Sequence, residues 1–156
     1  MTDVTEELYS LLVPIAETRM IVPRVCVTEV AGLGQLHLLE SGPGWLIGRV
    51  GWKGREVPLV SLEAACGQDV PEIVSRTRAV IFNGAYSLRG SHFALLSQGL
   101  PQLVRISRDV IGPDDERHWS DDAPVICRIR MVNEYPLVPD LGRLEEMLTE
   151  AEHHWR

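Results

Sequence analysis

The feature that most limits how this chain can fold is the frequent occurrence of glycine and proline along the sequence. Thirteen glycines and ten prolines are spread along the sequence. They separate short runs rich in valine, isoleucine and leucine, such as "RMIVPRVCV", "REVPLVSL" and "PVICRIRMV". Runs of this length suit strands, and many short strands divided by turn residues are typical of a sandwich or barrel. The chain is therefore predicted to be all-β.

Length and charge limit the class of protein further. The chain has 156 residues, which fits one domain, and a formal net charge of −7. An acidic protein without a basic run does not neutralise phosphates, so we expect no nucleic-acid partner. No apolar run approaches the roughly 18 residues of a membrane span, and the N-terminus lacks the basic-then-apolar order of a secretion signal. We expect a cytoplasmic protein with no direct membrane insertion.

Two segments carry clear periodicity. Residues 125–132 alternate, with Val125, Cys127, Ile129 and Met131 on one side, as in a half-buried strand. Residues 141–152 place leucines on one helical face with glutamates between them, which predicts an amphipathic C-terminal helix. The leucines of that face are Leu141, Leu144 and Leu148.

Three further segments are assigned from their turn residues. "SLEAACG" predicts one helical turn that ends at Gly67. "DVPEIVSR", residues 69–76, predicts a second short helical segment, because Pro71 suits its first turn. The polar stretch 107–124 is interpreted as an exposed connection.

A weak internal repeat runs through the sequence. "REVPLVSLEAA" (55–65) and "NEYPLVPDLGRL" (133–144) share a Pro-Leu-Val triplet followed by a leucine that enters a helical turn. The apolar runs "LYSLLVPI" and "RAVIFN" open the two halves. We therefore predict a single domain over 1–156, with pseudo-repeat halves at about 8–67 and 78–148, in the form of two related small β-barrels.

Groups that could perform chemistry are few. Asp121 and Asp122 beside His118 form the nearest approach to an acid–base cluster, but they lie in a polar stretch that offers no apolar pocket to shift a pKa. The lone "GLGQLH" lacks the third glycine of a phosphate loop, and His153 and His154 have no further ligands at metal-binding spacing.

The cysteines add no signal either. Cys26, Cys66 and Cys127 form no CxxC pair. We expect no catalytic residue, metal or cofactor.

Tryptophans and a strand with apolar residues on both faces point to binding instead of chemistry. Trp45 and Trp52 flank a glycine-rich strand, and tryptophan is enriched at protein interfaces. In "REVPLVSL" both strand faces are apolar, so a second layer must cover the strand. Val57 and Leu59 lie on one face, and Pro58, Val60 and Leu62 lie on the other. That layer is either a second barrel or a partner protein.

The stretch "PGWLIGRVGWKGREVPLVSLEAACG" (43–67) resembles the core motif of CheW-like domains, the coupling proteins of bacterial chemotaxis. In that family a short helix, here "PGWLIG", leads to G-x-(V/I)-x-x-R-G and then to a strand with (V/I)-(V/I)-P-(V/I)-x-D-L. "RMIVPRVCVTEVAG" (19–32) resembles the strand segment that precedes this motif. The likeness covers nearly all of 8–148, and it is strongest in 20–66.

The resemblance implies two SH3-like five-stranded β-barrels that share a core, and no enzymatic activity. Such domains bridge the cytoplasmic tip of a chemoreceptor to the regulatory domain of a chemosensory histidine kinase. The family's kinase-facing patch falls on Val27 and Glu29. Its receptor-facing groove falls on Gly48, Val50 and Lys53, and we expect the turn Trp52-Lys53-Gly54 to be offered to a partner.

The sequence departs from the family motif at three places. The turn arginine is Lys53, the aspartate of the return strand is Ser61, and the second-half turn is replaced by "VNEYPLVPD". Lysine cannot copy the bidentate contacts of arginine, so a receptor contact at this turn is expected to differ. These departures suggest a divergent accessory member of the ChpC kind, which accompanies the chemosensory clusters of type IV pili and twitching motility.

Three functional hypotheses follow. The leading one is a noncatalytic signalling adaptor, recruited from the cytoplasm to membrane receptor arrays and capable of weak self-association. The alternative is a generic peptide- or protein-binding β-barrel module, which would use the Trp45 and Trp52 surface. The third is a small β-barrel enzyme that uses the acidic loop 114–122.

Overall fold

The structure, a computed structural model, describes residues 8–107, 112–114 and 119–156. These residues form twelve strands and three helices, with a short 3-10 turn at Arg24–Cys26. The strands are β1 Leu8–Pro14, β2 Arg19–Pro23, β3 Val27–Ala31, β4 Leu36–Leu38, β5 Leu46–Trp52, β6 Arg55–Val60, β7 Arg78–Asn83, β8 His92–Ser97, β9 Gln102–Ile106, β10 Gly112–Asp114, β11 Val125–Arg130 and β12 Leu137–Pro139. The helices are α1 Leu62–Ala65, α2 Leu141–Glu150 and α3 Glu152–Trp155.

The strands pair into two six-stranded sheets. The first sheet has the order β10-β11-β12-β2-β1-β9, and the second has the order β3-β7-β8-β6-β5-β4. The pairs β12·β2 and β6·β8 are parallel, and the other described pairs are antiparallel. The predicted fold class, all-β with two β subdomains, short helices and a C-terminal helix, is confirmed. Each sheet has one strand more than the five expected, and β4 and β10 are only three residues long.

The two sheets repeat one arrangement with the hairpins of the halves exchanged. The opening hairpin β1–β2 lies in the first sheet beside β9–β12, whereas β7–β8 lies in the second sheet beside β3–β6. The parallel contact β12·β2 in one sheet corresponds to β6·β8 in the other. Each sheet therefore takes strands from both of the predicted halves, 8–67 and 78–148, and neither half forms a sheet alone.

Three apolar clusters make up the core. The central cluster is shared by both sheets and the C-terminal helices, and it includes Val13, Met20, Phe82, Phe93 and Leu144. The second-sheet cluster contains Val50, Trp52, Val57, Leu59, Ala79, Ile81, Ala94 and Leu96. The first-sheet cluster contains Leu12, Ile21 and Ile106. The central cluster is thus the largest apolar layer, and each sheet has a smaller apolar cluster of its own.

Strand β6 lies between two of these clusters. Val57 and Leu59 belong to the second-sheet cluster, while Val60 and the following Leu62 belong to the central cluster. All four side chains are at most 2% exposed. The prediction that a second layer covers "REVPLVSL" on both faces is confirmed, and that layer lies within the protein itself.

Two of the three predicted helical segments, the C-terminal helix and the turn in "SLEAACG", are present. Helix α2 begins after Asp140, whose carboxylate accepts a hydrogen bond from the backbone N–H of Arg143 at 3.0 Å, an N-cap contact. Its Leu144 and Leu148 are fully buried. Helix α1 begins after Ser61 and is followed by Gly67 at φ +89°, the left-handed position expected of a glycine that stops a helix.

A buried glutamate follows each Pro-Leu-Val strand and holds a loop. In the first half, Glu63 accepts a hydrogen bond from the backbone N–H of Ala16, in the β1–β2 turn, at 3.0 Å. In the second half, Glu145 accepts hydrogen bonds from the backbone N–H groups of Ala85, Tyr86 and Leu88 at 2.9–3.2 Å. Each glutamate ties the opening hairpin of its own half to the helix that ends that half.

Several local expectations are corrected. Residues 69–74 form no helix, and "PGWLIG" is a turn that enters β5 rather than a helix. The strand predicted for 125–132 ends at Arg130, and its register shifts between Val125 and Cys127. Gly112–Asp114, inside the stretch interpreted as a connection, pairs with β11.

Candidate interaction surface at β3 and the β5–β6 turn

The turn between β5 and β6 is a tight two-residue hairpin. Trp52 pairs with Arg55, and the residues between them have positive φ, +47° at Lys53 and +74° at Gly54. Positive φ at both central residues is typical of a type I′ turn, whose twist matches that of the flanking strands. Lys53 is exposed, and its ammonium lies 5.2 Å from the centre of the Trp52 ring. The hairpin therefore presents one lysine at its tip.

Trp52 itself is not offered to solvent. Its side chain is 9% exposed and packs in the second-sheet cluster. The indole N–H donates a hydrogen bond to the carboxylate of Glu29, and the His92 ring lies against the indole with 4.9 Å between ring centres. The expectation that Trp52 is presented to a partner is wrong, because the strand alternation turns it inward with Val50.

Gly48 and Val50 are also internal. Val50 is fully buried in the second-sheet cluster. Gly48 is buried under β4, and a Cβ at this position would stand 2.2 Å from the carbonyl oxygen of His37. Of the four residues predicted to face a receptor, only Lys53 is exposed. The other three shape the strand that carries it.

Val27 and Glu29 lie on β3, one of the two edge strands of the second sheet. Along its length β3 pairs with β7, and the register shifts between Val27 and Glu29. Glu29 is exposed, whereas Val27 is half-buried against the central cluster. An edge strand presents unpaired backbone N–H and C=O groups to solvent and can pair with another chain.

The structure joins the two predicted patches. Glu29, predicted on the kinase side, holds Trp52, which precedes the turn predicted on the receptor side. His92 completes the contact, and sequence reasoning missed it because no local pattern connects β8 with Trp52. Burial lowers the pKa of His92, and the nearby Arg55 guanidinium lowers it further, so the imidazole is biased toward its neutral form.

The residues considered for chemistry remain apart from this surface. Asp121 and Asp122 are exposed, and His118 lies outside the described residues. The rings of His153 and His154 stand 4.0 Å apart, and the described part of the chain has no group of three potential metal ligands. Burial raises the pKa of the Cys26 and Cys127 thiols, which disfavours the reactive thiolate.

Among the residues that the structure describes, no helix is both long and apolar enough to span a bilayer.

Comparison with known proteins supplies the family. The model of the CheW-like domain matches residues 10–144. Among solved structures, the scaffolding protein TtCheW from Thermoanaerobacter tengcongensis superposes with a TM-score of 0.71 at 15% sequence identity, over 89% of this chain and 88% of that one. No curated protein sequence matches the chain. At this identity the solved structure shows a shared fold, while the match of the domain model spans most of the sequence: the chain belongs to the CheW-like domain family.

Proposed function

We propose that this protein is a noncatalytic signalling adaptor that couples chemoreceptors to a chemosensory histidine kinase. The observation that carries the proposal is the CheW-like match over residues 10–144, in a fold shared with a bacterial scaffolding protein.

The kinase contact is proposed for the exposed edge of β3. Glu29 offers a carboxylate there, and the edge backbone offers hydrogen-bonding groups to a regulatory domain that approaches side-on. Because Glu29 already accepts the Trp52 N–H, its position on the edge is fixed by the second-sheet cluster. A fixed carboxylate loses less conformational entropy on binding than a free one.

The receptor contact is proposed for Lys53 at the tip of the β5–β6 hairpin. The type I′ turn places the exposed lysine at the hairpin tip, with its ammonium over the Trp52 ring, where it can meet a carboxylate of the receptor tip. A lysine makes a point-charge contact in place of the bidentate contact of arginine. We therefore expect the receptor interaction to be weaker and more sensitive to salt than in relatives that carry arginine.

The departure at Ser61 has a structural explanation that leaves the partner surfaces intact. Ser61 is fully buried and caps α1, with its hydroxyl accepting a hydrogen bond from the Ala64 backbone N–H at 3.1 Å. Serine and aspartate are comparably good N-cap residues. The proposed assignment to an accessory, ChpC-like branch that works from the cytoplasm at pilus chemosensory arrays rests on the other two departures, Lys53 and the second-half turn.

The kinase contact is tested by calorimetric titration with the CheW-like regulatory domain of the organism's chemosensory kinase. We expect micromolar binding by the wild type. Glu29→Gln keeps an acceptor for Trp52 but removes the charge, and should weaken binding several-fold. Glu29→Arg should abolish binding, whereas Glu72→Arg, a matched charge reversal at an exposed residue outside β3, should not.

The outcomes separate the hypotheses. Equal losses for Glu29→Arg and Glu72→Arg would show only a general charge effect and would remove the proposed contact. No binding by folded wild-type protein would contradict kinase coupling and favour a generic protein-binding module.

A further inference from the structure

A polar cavity lies beside the β5–β6 hairpin, and Arg55 and His92, both neighbours of Trp52, are among its lining residues. It has a volume of about 340 Å³ and opens between the β5–β6 hairpin, the residues that lead into β8, and the end of α3. None of the residues proposed for the kinase or receptor contacts lines it. Its polar lining includes Arg49, Arg55, Glu56, Ser91 and Arg156.

The charge of this cavity is opposite to that of the molecule. Three arginines line the cavity in a chain whose formal net charge is −7, and two of them have a carboxylate partner: Glu56 for Arg49, and Glu152, 3.4 Å from Nε, for Arg156. Glu56 is shared, since it stands 2.8 Å from Nδ1 of His37 as well as 3.4 Å from Nε of Arg49. These two carboxylates leave Arg55 without an ion-pair partner among the described residues, so the cavity keeps one positive charge in excess.

The arginines keep unused donors. Arg49 Nε is buried and has no hydrogen-bond partner of good geometry among the described residues, although Glu56 lies within ion-pair distance. Arg55 makes no ion pair within the described part of the chain. Arg49 Nε is shielded from solvent beside Glu56, so the exposed Arg55 guanidinium is the donor that is open to an external acceptor.

The cavity walls include apolar surface that suits the methylene groups of a ligand side chain, as well as charged groups that suit its anionic end. Val57 and Pro58 line one side, and the Trp155 ring, 8% exposed, lines the other. The guanidinium of Arg156, which also lines the cavity, lies 5.0 Å from the centre of that ring, and its Nε lies 3.4 Å from a carboxylate oxygen of Glu152. Planar forks match carboxylates bidentately, and apolar walls accept the methylenes of glutamate.

We propose that this cavity binds the carboxylate side chains of an acidic peptide segment of a partner protein. Charge complementarity selects the partner, because an acidic segment is repelled by the rest of this surface and attracted here. The site goes beyond receptor and kinase coupling, and it gives the protein a separate surface for a third, acidic partner.

The test uses a blocked tetraglutamate peptide, with tetraglutamine as the uncharged control, in calorimetric titrations of the full chain at low salt. Amide chemical shifts of Ser91 and His92 report whether the peptide occupies the cavity. We expect tetraglutamate to bind, tetraglutamine not to bind, and Arg55→Glu to weaken binding at least about tenfold. Arg49→Gln should weaken it about fivefold, with circular dichroism confirming the fold of each variant.

A matched control distinguishes a site from diffuse attraction. Arg24→Glu makes the same change in net charge at an exposed residue outside the cavity and should leave affinity within about twofold. Equal weakening by Arg24→Glu and Arg55→Glu would overturn the proposal. So would the absence of tetraglutamate binding, or inorganic phosphate binding as tightly as the peptide. These titrations need neither receptor nor kinase, so their result is independent of the coupling proposal.

Discussion

Glu29 and Trp52 show how a single contact fixes both a surface and a core. The exposed carboxylate on β3 accepts the indole N–H, while the indole fills the second-sheet cluster. A hydrogen bond to a charged group contributes about 1.5–3 kcal/mol. The interaction surface and the fold are therefore coupled at this pair, and variants of Glu29 need a stability measurement beside every binding measurement.

Trp52→Phe keeps most of the ring but removes the N–H donor. We expect the free energy of unfolding to fall by about 1.5–3 kcal/mol, measured by chemical denaturation. The double variant Glu29→Ala/Trp52→Phe should cost less than the sum of the single changes, because both remove the same contact. Additive costs would contradict a direct link between the two side chains.

Lys53 adopts a backbone conformation that suits asparagine or glycine better. Its φ of +47° is strained for a lysine, and Asn-Gly is a preferred type I′ pair. Lys53→Asn should raise the free energy of unfolding by up to about 1 kcal/mol and weaken receptor binding. Lys53→Ala removes the charge but keeps the strain, so it should weaken binding without the gain in stability. A stability loss for Lys53→Asn would contradict the assigned turn.

His92 predicts a pH dependence of stability. Its pKa is lowered in the folded protein by burial and by Arg55, so the unfolded chain binds more protons below about pH 6.5. The free energy of unfolding should therefore fall as pH drops through this value, until the folded imidazole is also protonated. His92→Gln should remove this part of the pH dependence in denaturation curves measured across pH 5–8. An unchanged pH profile would mean that His92 does not titrate differently on folding.

Among the elements, the loop between β7 and β8 depends on one buried carboxylate. Glu145, 1% exposed, accepts hydrogen bonds from three backbone N–H groups of that loop. Glu145→Ala leaves these donors without their acceptor and should lower the free energy of unfolding by about 3 kcal/mol or more. Hydrogen exchange at Ala85, Tyr86 and Leu88 should accelerate. Glu63→Ala removes one such backbone contact and should cost less; an equal cost would contradict this account.

Periodicity predicted those elements whose burial follows a regular pattern. The two-sided strand β6 and the leucine face of α2 were both recognisable, because spacing alone decides which side chains turn inward. The alternation Leu46, Gly48, Val50, Trp52 also carried the information that Trp52 is buried. The enrichment of tryptophan at interfaces suggested instead that Trp52 faces a partner. For this residue, the alternation of inward and outward side chains along the strand predicts burial correctly.

Elements that depend on tertiary burial were not predictable in this way. The segment "DVPEIVSR" has a helix-like start, but Val70, Ile73 and Val74 remain 39–40% exposed, so no packed face stabilises a short helix. The contacts of Glu29 and His92 with Trp52 join three strands that are distant in the sequence. Long-range pairing of this kind leaves no local signal.

At the scale of the whole molecule, the exchange of hairpins joins the two halves of the chain. Each sheet needs strands from both halves, and the central cluster draws on both sheets. The two proposed partner surfaces, at β3 and at the β5–β6 turn, lie in one sheet and are joined through Glu29 and Trp52, so they are held in a fixed relation, which an adaptor requires. Two modest contacts held in this way gain from the multivalency of an array.

The most direct test of the adaptor account is a bridging measurement. Vesicles that carry receptor cytoplasmic fragments are sedimented with the kinase regulatory domain, with and without this protein. The account predicts that the regulatory domain sediments more strongly when the wild-type protein is present. With Glu29→Arg, the protein should sediment without enhancing the kinase domain; with Lys53→Glu, neither should be recruited beyond background. If the wild-type protein sediments with the vesicles but recruits no kinase domain, or does not sediment at all, coupling is contradicted.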